Sequence, residues 1–297
     1  MDKFTFAQYK AQYPDDDACL QAILERRYGK AEACPECGVV GKLTKITGRR
    51  AYACKEGCHI YPCAGTIFEH SSTPLSLWFH AMYLMTATRN GVSGKELQRQ
   101  LGVTYKCAWR IGQQLRILMK ARADAQNPGQ LSGHVEVDET FIGGRKSRTQ
   151  MRRHGDKHSK AIVLGIVQRG GPIRGKVVKS TGTMRLIPEV MENVAPGTTI
   201  STDEWTPYKR YLPELGYNHA YVTHSADEYV RGDVHTNTLE GFWSHLKRGI
   251  RSTHVSVSKQ HLQKYVDEFA FRFNNRDKPA EMFRRLVAQV SRADSSS

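Results

Sequence analysis

The sequence predicts a multidomain α+β protein, and three observations carry that reading. Two close cysteine pairs, Cys34/Cys37 and Cys54/Cys58, stand near the N-terminus. Helix-period patterning with capping residues fills residues 71–127. Beyond a break at Asn127-Pro128-Gly129-Gln130, strand-like runs and amphipathic helices alternate, as in an α/β domain with a mixed sheet. A chain of 297 residues has the length for two or three cores. The expected parts are an N-terminal helical segment over 1–33, a cysteine module over 34–70, a helical module over 71–127 and the α/β domain over 131–293.

Composition narrows the function. Lys and Arg number 44 against 29 Asp and Glu, a net charge of +15. An excess of that size points to nucleic acid, because each phosphate contact releases condensed counterions. A merely solvated basic surface is the plain alternative. The basic residues recur in loops and helices alike, as in RKSRTQMRRHGDKHSK and KRGIR, rather than in one tail. No apolar run approaches bilayer length, so no membrane partner is expected. The first residues, MDKFTFAQYKAQYPDDD, read as neither a basic n-region nor an apolar h-region. A cytoplasmic protein is therefore expected, with reduced thiols, and clustered cysteines there suggest metal.

Residues 1–28 predict one or two short helices. Asp15-Asp16-Asp17 favours a helix start, and Leu20, Ile23 and Leu24 follow at helical spacing, with Cys19 as a small core residue. The knuckle Cys34-Pro35-Glu36-Cys37-Gly38 and the looser Cys54-Lys55-Glu56-Gly57-Cys58 have the spacing of a zinc ribbon. Cys34, Cys37, Cys54 and Cys58 are the expected Zn²⁺ ligands, with His59 and Cys63 near enough to leave the fourth open. Four thiolates would close the coordination shell, so the zinc is structural. A metal-free cluster competes, but would leave this segment with little core.

Thr73-Pro74 predicts a helix start, with Leu77, Trp78, Ala81, Met82 and Met85 as its apolar face. Ser93-Gly94-Lys95-Glu96 reads as a capping box. A turn at Leu101-Gly102-Val103-Thr104 then leads to a second helix, with Ala108, Ile111, Leu115 and Leu118 inward. Two helices about a tight glycine turn predict a helix-turn-helix. Its second helix is expected to offer Tyr105, Lys106, Trp109, Arg110, Gln113 and Gln114 outward, side chains suited to bases and phosphates. A structural hairpin is the alternative, and the charge total favours DNA.

The α/β region begins with His134–Gly144, then the apolar run Ala161–Val167 and the strand Gly175–Val178. A helix near Met184–Val194, strand Thr198–Thr202, a further helix and a strand at Ala220–Val222 follow. Over His235–Gly249, at about 100° per residue, Leu239, Phe242, Trp243, Leu246 and Ile250 fall on one face. Asn237, Glu240, Ser244 and Lys247 fall on the other. Asn237 with Glu240 also imitates a capping box, the bland account of both residues. A last long helix, Ser258–Asn274, packs through Leu262, Tyr265, Val266, Phe269, Ala270 and Phe273, with Lys259, Lys264 and Arg272 nearer its wet side.

Asp138 lies in the first strand of this domain and Asp203 just past a later one, both beside apolar segments where a charge is costly unless paired. Divalent cations are the expected partners, with Asp138, Asp203 and Glu240 as Mg²⁺ ligands and Lys247 holding DNA phosphate. Two ions roughly 3.5–4 Å apart would suit attack by water or a 3′-hydroxyl. Glu139 should face away from Asp138 and Glu136 share its face, as a supporting group or a solvated neighbour. Glu204, Asp227, Glu228 and Asp233 are further acids nearby in sequence, and Asp233 suits a cap or a supporting role.

The stretches VDETFIGG, TDEW with Tyr208 after it, EYVRGDVHTNTLEGFWSHLKRGI and DEFAFRFNNR resemble zinc-ribbon-bearing DDE transposases of prokaryotic insertion sequences. CPECG and GTIFEHSSTPLSLWF resemble the N-terminal region of the same group, and the likeness runs from about Cys34 to Arg276. It implies an RNase H-like catalytic domain, Mg²⁺ dependence, and DNA cleavage with strand transfer at terminal inverted repeats. Carried over, Asp138 and Asp203 are the first two acids, and the third position is Asn237 or Glu240, followed by Lys247. Glu240 is favoured, because a carboxylate binds Mg²⁺ better than a carboxamide. The looser second cysteine knuckle departs from the pattern. Arg145, Lys146 and Arg248 join the expected contacts to double-stranded DNA, and bringing two ends together requires a homodimer or larger assembly near the nucleoid. A transposase-derived regulator without chemistry is the alternative function, and a nuclease of the same fold a third.

Overall fold

The computed structural model describes residues 4–30, 32–126, 129–143, 160–203, 206–222 and 235–290. Its contacts divide the chain into two units, residues 1–122 with 278–297, and residues 123–277. Arg145, Lys146, Glu204, Asp227, Glu228 and Asp233 lie outside the described residues.

In the first unit, adjacent aspartates start two different helices. After α1 (Phe6–Gln12), the Asp15 carboxylate accepts from Ala18 N at 2.8 Å and caps α2 (Asp16–Tyr28). Asp16 instead reaches across to α3 (Leu75–Ala87), accepting from Leu75 N and Ser76 N at 2.9 Å each and from Ser76 Oγ at 2.7 Å. The expected Thr73 cap is displaced because Pro74 takes the N-cap position, and the orphan N–H groups find this distant carboxylate.

Between α2 and α3, β1 (Thr44–Lys45), β2 (Tyr52–Ala53) and β3 (His59–Ile60) form a small antiparallel sheet. The Arg50 guanidinium donates to Ser71 O and Thr73 O, at 2.7 Å each, tying the sheet to the start of α3. Next, α4 (Gly94–Leu101) is capped by Ser93, whose Oγ accepts from Glu96 N at 3.1 Å. It ends at Gly102, whose φ of 66° is the left-handed conformation a helix-ending glycine supplies. Then α5 (Tyr105–Gln126) begins, so the expected two helices and tight turn are present.

The second unit is built on five strands, β4 (His134–Ile142), β5 (Ala161–Gln168), β6 (Ile173–Val178), β7 (Thr199–Thr202) and β8 (Asn218–Tyr221). Their order is β6-β5-β4-β7-β8, with β4, β5 and β6 antiparallel and β7 and β8 parallel to β4. Three antiparallel strands followed by two parallel ones make the mixed sheet expected of an RNase H-like domain. On one face lie α6 (Thr183–Asn193) and α7 (Thr206–Glu214), over Val135, Val137, Leu164, Ile166 and Ile200. On the other lie α8 (Asn237–Gly249) and α9 (Lys259–Asn274), over Ile142, Val163, Val167 and Ile173.

Glycines set how closely α8 and α9 approach. Gly165 and Gly175 are cross-strand partners on β5 and β6. A Cβ on Gly165 would stand 2.5 Å from Trp243 Cζ2, and one on Gly175 would stand 2.5 Å from Val266 Cγ1. Any side chain at either position would hold a helix off the sheet.

Three features differ from the sequence reading. Arg272 is buried rather than wet, because Glu268, itself fully buried on the preceding turn, accepts from it at 2.7 Å. Between Asn274 and the end of the described chain, a helix α10 (Met282–Gln289) forms, with Met282, Phe283, Leu286 and Val287 buried. It groups with the first unit, where Phe283 packs on Phe4, Tyr9, Tyr13 and Phe79. Gln113 on α5 is buried at 4% exposure, so it is not among the outward side chains.

Candidate active site

The first acid is placed by strand register. Asp138 lies on β4 opposite Gly165 and on the face that α8 covers. Because Gly165 has no side chain, the Trp243 indole settles over it, and Trp243 Nε1 donates to Asp138 Oδ2 at 2.8 Å. The apolar stripe of α8 is buried as its periodicity requires, with Leu239, Phe242, Trp243, Leu246 and Ile250 each no more than 6% exposed. Asn237, Glu240, Ser244 and Arg248 are exposed and Lys247 is half-buried.

Asp203 stands one residue past β7, the strand parallel to β4. Burial pushes the Asp138 carboxyl up to about 6, and negative charge on Asp203 and Glu240 adds to the rise, while the Trp243 hydrogen bond opposes it. Glu139 faces α7, as strand alternation requires, and accepts a hydrogen bond from the buried Tyr208 hydroxyl. Burial, then repulsion from Asp138 and Asp203, holds Glu139 up at about 9. Burial lowers the Lys247 ammonium while Asp138 opposes that, with Arg251 and Lys160 the next charges around it. Asp203, Glu240 and Lys247 thus lie within electrostatic reach of Asp138, and Asp138 and Asp203 within that of Glu139, whereas among the described residues only Cys34, Cys37, Cys54 and Cys58 stand close enough together to share one ion without movement.

Asp203 and Glu240 add negative charge around Asp138, and Asp138 and Asp203 add it around Glu139. An all-oxygen, net-negative donor set suits a hard divalent cation, so these residues fit Mg²⁺ chemistry.

The capping-box account of Glu240 does not hold. Thr236 takes the N-cap position of α8, and among the described residues its side chain makes no cap bond. The orphan N–H groups go to Glu136, which sequence reasoning left between a supporting group and a solvated neighbour. Its carboxylate is fully buried. Oε2 accepts from Thr238 N at 2.9 Å and Leu239 N at 3.2 Å, while Oε1 accepts from Thr238 Oγ1 at 2.9 Å and Arg169 Nε at 2.8 Å. The sequence signal was the shared strand face with Asp138. The partner, about a hundred residues on, was not visible in it.

In the first unit, Cys34, Cys37, Cys54 and Cys58 bring their four Sγ atoms within 4.8 Å of one another. Cys63 and His59 stand outside that group. The two knuckles are held by turns, with Cys34 O accepting from Gly38 N at 2.8 Å and Cys54 O from Gly57 N at 3.1 Å. Four converging thiols fit a structural Zn²⁺.

On α5, Tyr105, Lys106 and Arg110 are exposed and Trp109 and Gln114 half-buried. Tyr105 lies under the Lys95 ammonium at 4.7 Å, and Arg110 stands over the Trp78 ring at 5.2 Å and donates to Ser71 Oγ at 3.1 Å. No helix among the described residues is long and apolar enough to cross a membrane.

Comparison with known proteins gives concordant results. Residues 130–274 match the ISXO2-like transposase domain and residues 14–60 the transposase zinc-ribbon domain. A protein of the transposable element ISH50 of Halobacterium salinarum is 30% identical over 291 residues, spanning 91% of this chain and 94% of the relative. A transposase-like protein of Haemophilus influenzae is 28% identical over 99 residues, covering 33% of this chain and 78% of the relative. Among solved structures, the Mos1 strand transfer complex aligns over 77% of this chain and 82% of its own at 12% identity, with a TM-score of only 0.32. A pre-cleavage Mos1 transpososome gives 0.29. The zinc ribbon, the mixed sheet and the full-length relative together show that the chain belongs to the zinc-ribbon-bearing ISXO2-like transposases of insertion sequences.

Proposed function

We propose that the protein binds the terminal inverted repeats of its insertion sequence and catalyses Mg²⁺-dependent DNA cleavage and strand transfer. The observation that carries this reading is the electrostatic convergence of Asp203 and Glu240 on Asp138, from three elements distant in sequence. Asp138, Asp203 and Glu240 would hold the cations, and Lys247 would take a phosphate beside them. Bound Mg²⁺ would supply the charge that stabilises the attacking and leaving oxygens. The chain's own part is to fix the three carboxylates and to exclude water from Asp138 with the Trp243 indole. Glu240 is favoured over Asn237 because a carboxylate binds Mg²⁺ better than a carboxamide.

In this reading the helix-turn-helix and the basic residues Lys106, Arg110, Arg248, Arg145 and Lys146 carry the duplex, with Tyr105, Trp109 and Gln114 beside them. A dimer or larger assembly forms on paired ends. Zn²⁺ on the four cysteines stabilises the ribbon. The test is a strand-transfer assay on an element end with Mg²⁺. Asp138→Asn and Asp203→Asn should abolish joining while end binding persists, and Glu240→Ala should cost more than Asn237→Ala. Wild-type protein that binds ends but never joins them would reduce the chain to a DNA-binding regulator.

A further inference from the structure

Glu136 does more than fill a buried position. It is the point at which the three acid-bearing elements are tied together. A helix leaves its first N–H groups without partners, and α8 opens with a Thr236 side chain that makes no cap bond among the described residues. The missing acceptor comes from β4, where Glu136 precedes Asp138 by two residues and shares its face. The carboxylate sits where the helix macrodipole favours negative charge and takes both the Thr238 and Leu239 N–H groups.

Arg169, immediately after β5, extends the tie. Its Nε donates to Glu136 Oε1 at 2.8 Å and its NH2 to His235 O at 2.9 Å, just before α8. Its NH1 lies 3.1 Å from His134 Nδ1. The other His134 nitrogen, Nε2, lies 2.7 Å from Ser201 Oγ on β7, two residues before Asp203. One run of polar contacts therefore joins the elements that carry Asp138, Asp203 and Glu240. Burying a carboxylate is costly unless every lone pair is met, and here both oxygens are engaged.

We propose that Glu136, with Arg169, is a positioning residue that sets the first turn of α8, and so the separation of Glu240 from Asp138. This rests on the metal-site reading given under Proposed function. Glu136→Gln keeps the shape but turns an amide NH2 toward N–H donors, so the first turn of α8 should shift. Outer partners of metal ligands typically contribute about 10–100-fold to metal affinity or activity.

Mn²⁺ binding to the full-length protein, followed by the electron paramagnetic resonance of the free ion, should weaken by about 10–100-fold in Glu136→Gln. Its melting temperature without metal should fall, because Arg169 and the first N–H groups of α8 lose a charged acceptor, while at a temperature where it stays folded its binding of element ends should stay close to wild type. Raising Mn²⁺ should restore joining in Glu136→Gln and fail to do so in Asp138→Asn. Mn²⁺ affinity equal to wild type in a folded Glu136→Gln would overturn the inference. Should that variant not fold, Arg169→Lys decides, because it keeps the charge but loses the fork to His134 and His235. Weakened Mn²⁺ binding in Arg169→Lys supports the tie, and wild-type binding removes it. Wild-type protein that takes up no Mn²⁺ would instead sink the metal-site reading itself.

Discussion

Gly165 gives the sharpest test of how the first acid is held. Replacing it with alanine places a Cβ at 2.5 and 2.7 Å from Trp243 Cζ2 and Cη2 and at 2.8 Å from Leu239 Cδ2, all well inside contact distance. Overpacking of this kind costs about 1–3 kcal/mol. Removing a glycine from a strand returns about 0.5–1 kcal/mol through the unfolded chain. Gly165→Ala should therefore destabilise the protein by about 1–2 kcal/mol and push the indole from Asp138, lowering joining as well. Trp243→Phe alone loses the 2.8 Å bond to Asp138, and a hydrogen bond to a charged group is worth about 1.5–3 kcal/mol. That substitution also deletes the ring atoms that collide with the new methyl. The double variant should thus be more stable than the sum of the two changes by about 1 kcal/mol, with rescue incomplete because Leu239 still collides. Urea unfolding of the full chain with each single variant and the pair measures this coupling. Additivity to within about 0.5 kcal/mol would show that the indole does not rest on Gly165 and that this account of Asp138 is mistaken.

His219, on β8, is held down to about 4 by burial and then by the Lys209 ammonium, against 6.5 for an ordinary histidine. Above 6.5 it is neutral folded or unfolded. As pH falls from 6.5 toward 4 only the unfolded chain takes the proton, so stability is lost in that window, by about 1–2 kcal/mol once solvent screening of the partly exposed ring is allowed for. Urea midpoints from pH 7 to 4.5 should fall less steeply for His219→Gln, and parallel curves would count against this. Gly241 is exposed on α8, and no described atom lies within 4 Å of an added Cβ. Gly241→Ala should stabilise the DNA-free protein by about 0.5–1 kcal/mol, read as a higher urea midpoint at unchanged slope. A lower midpoint would mean the face is already covered. Cys34→Ser should lower bound zinc, measured by atomic absorption, and weaken the N-terminal unit, whereas full zinc content would point to ligands other than the four cysteines.

Much of the site was legible because periodicity constrains it. The apolar stripe from Leu239 to Ile250 had to be buried, which left Asn237, Glu240, Ser244 and Lys247 on the other side of α8. The cysteine spacing pointed to a ribbon, and the acids beside apolar strands pointed to a cation. Gln113 and Arg272 were misread for one reason. Helical spacing shows which face a residue lies on, but not how wide the buried face is. The helix over Met282–Gln289 carried its own apolar pattern and was overlooked.

What the sequence determined alone was local: which segments form helices and strands, which faces are apolar, and which acids stand where a charge needs company. Those properties follow from the period of the backbone and the cost of burying charge. What only the tertiary structure decided was partnership across distance. Glu136 ends the first turn of α8, Asp16 that of α3, and Gly165 admits the indole that holds Asp138. No periodicity records such pairings, because they depend on which strand register brings two surfaces into contact.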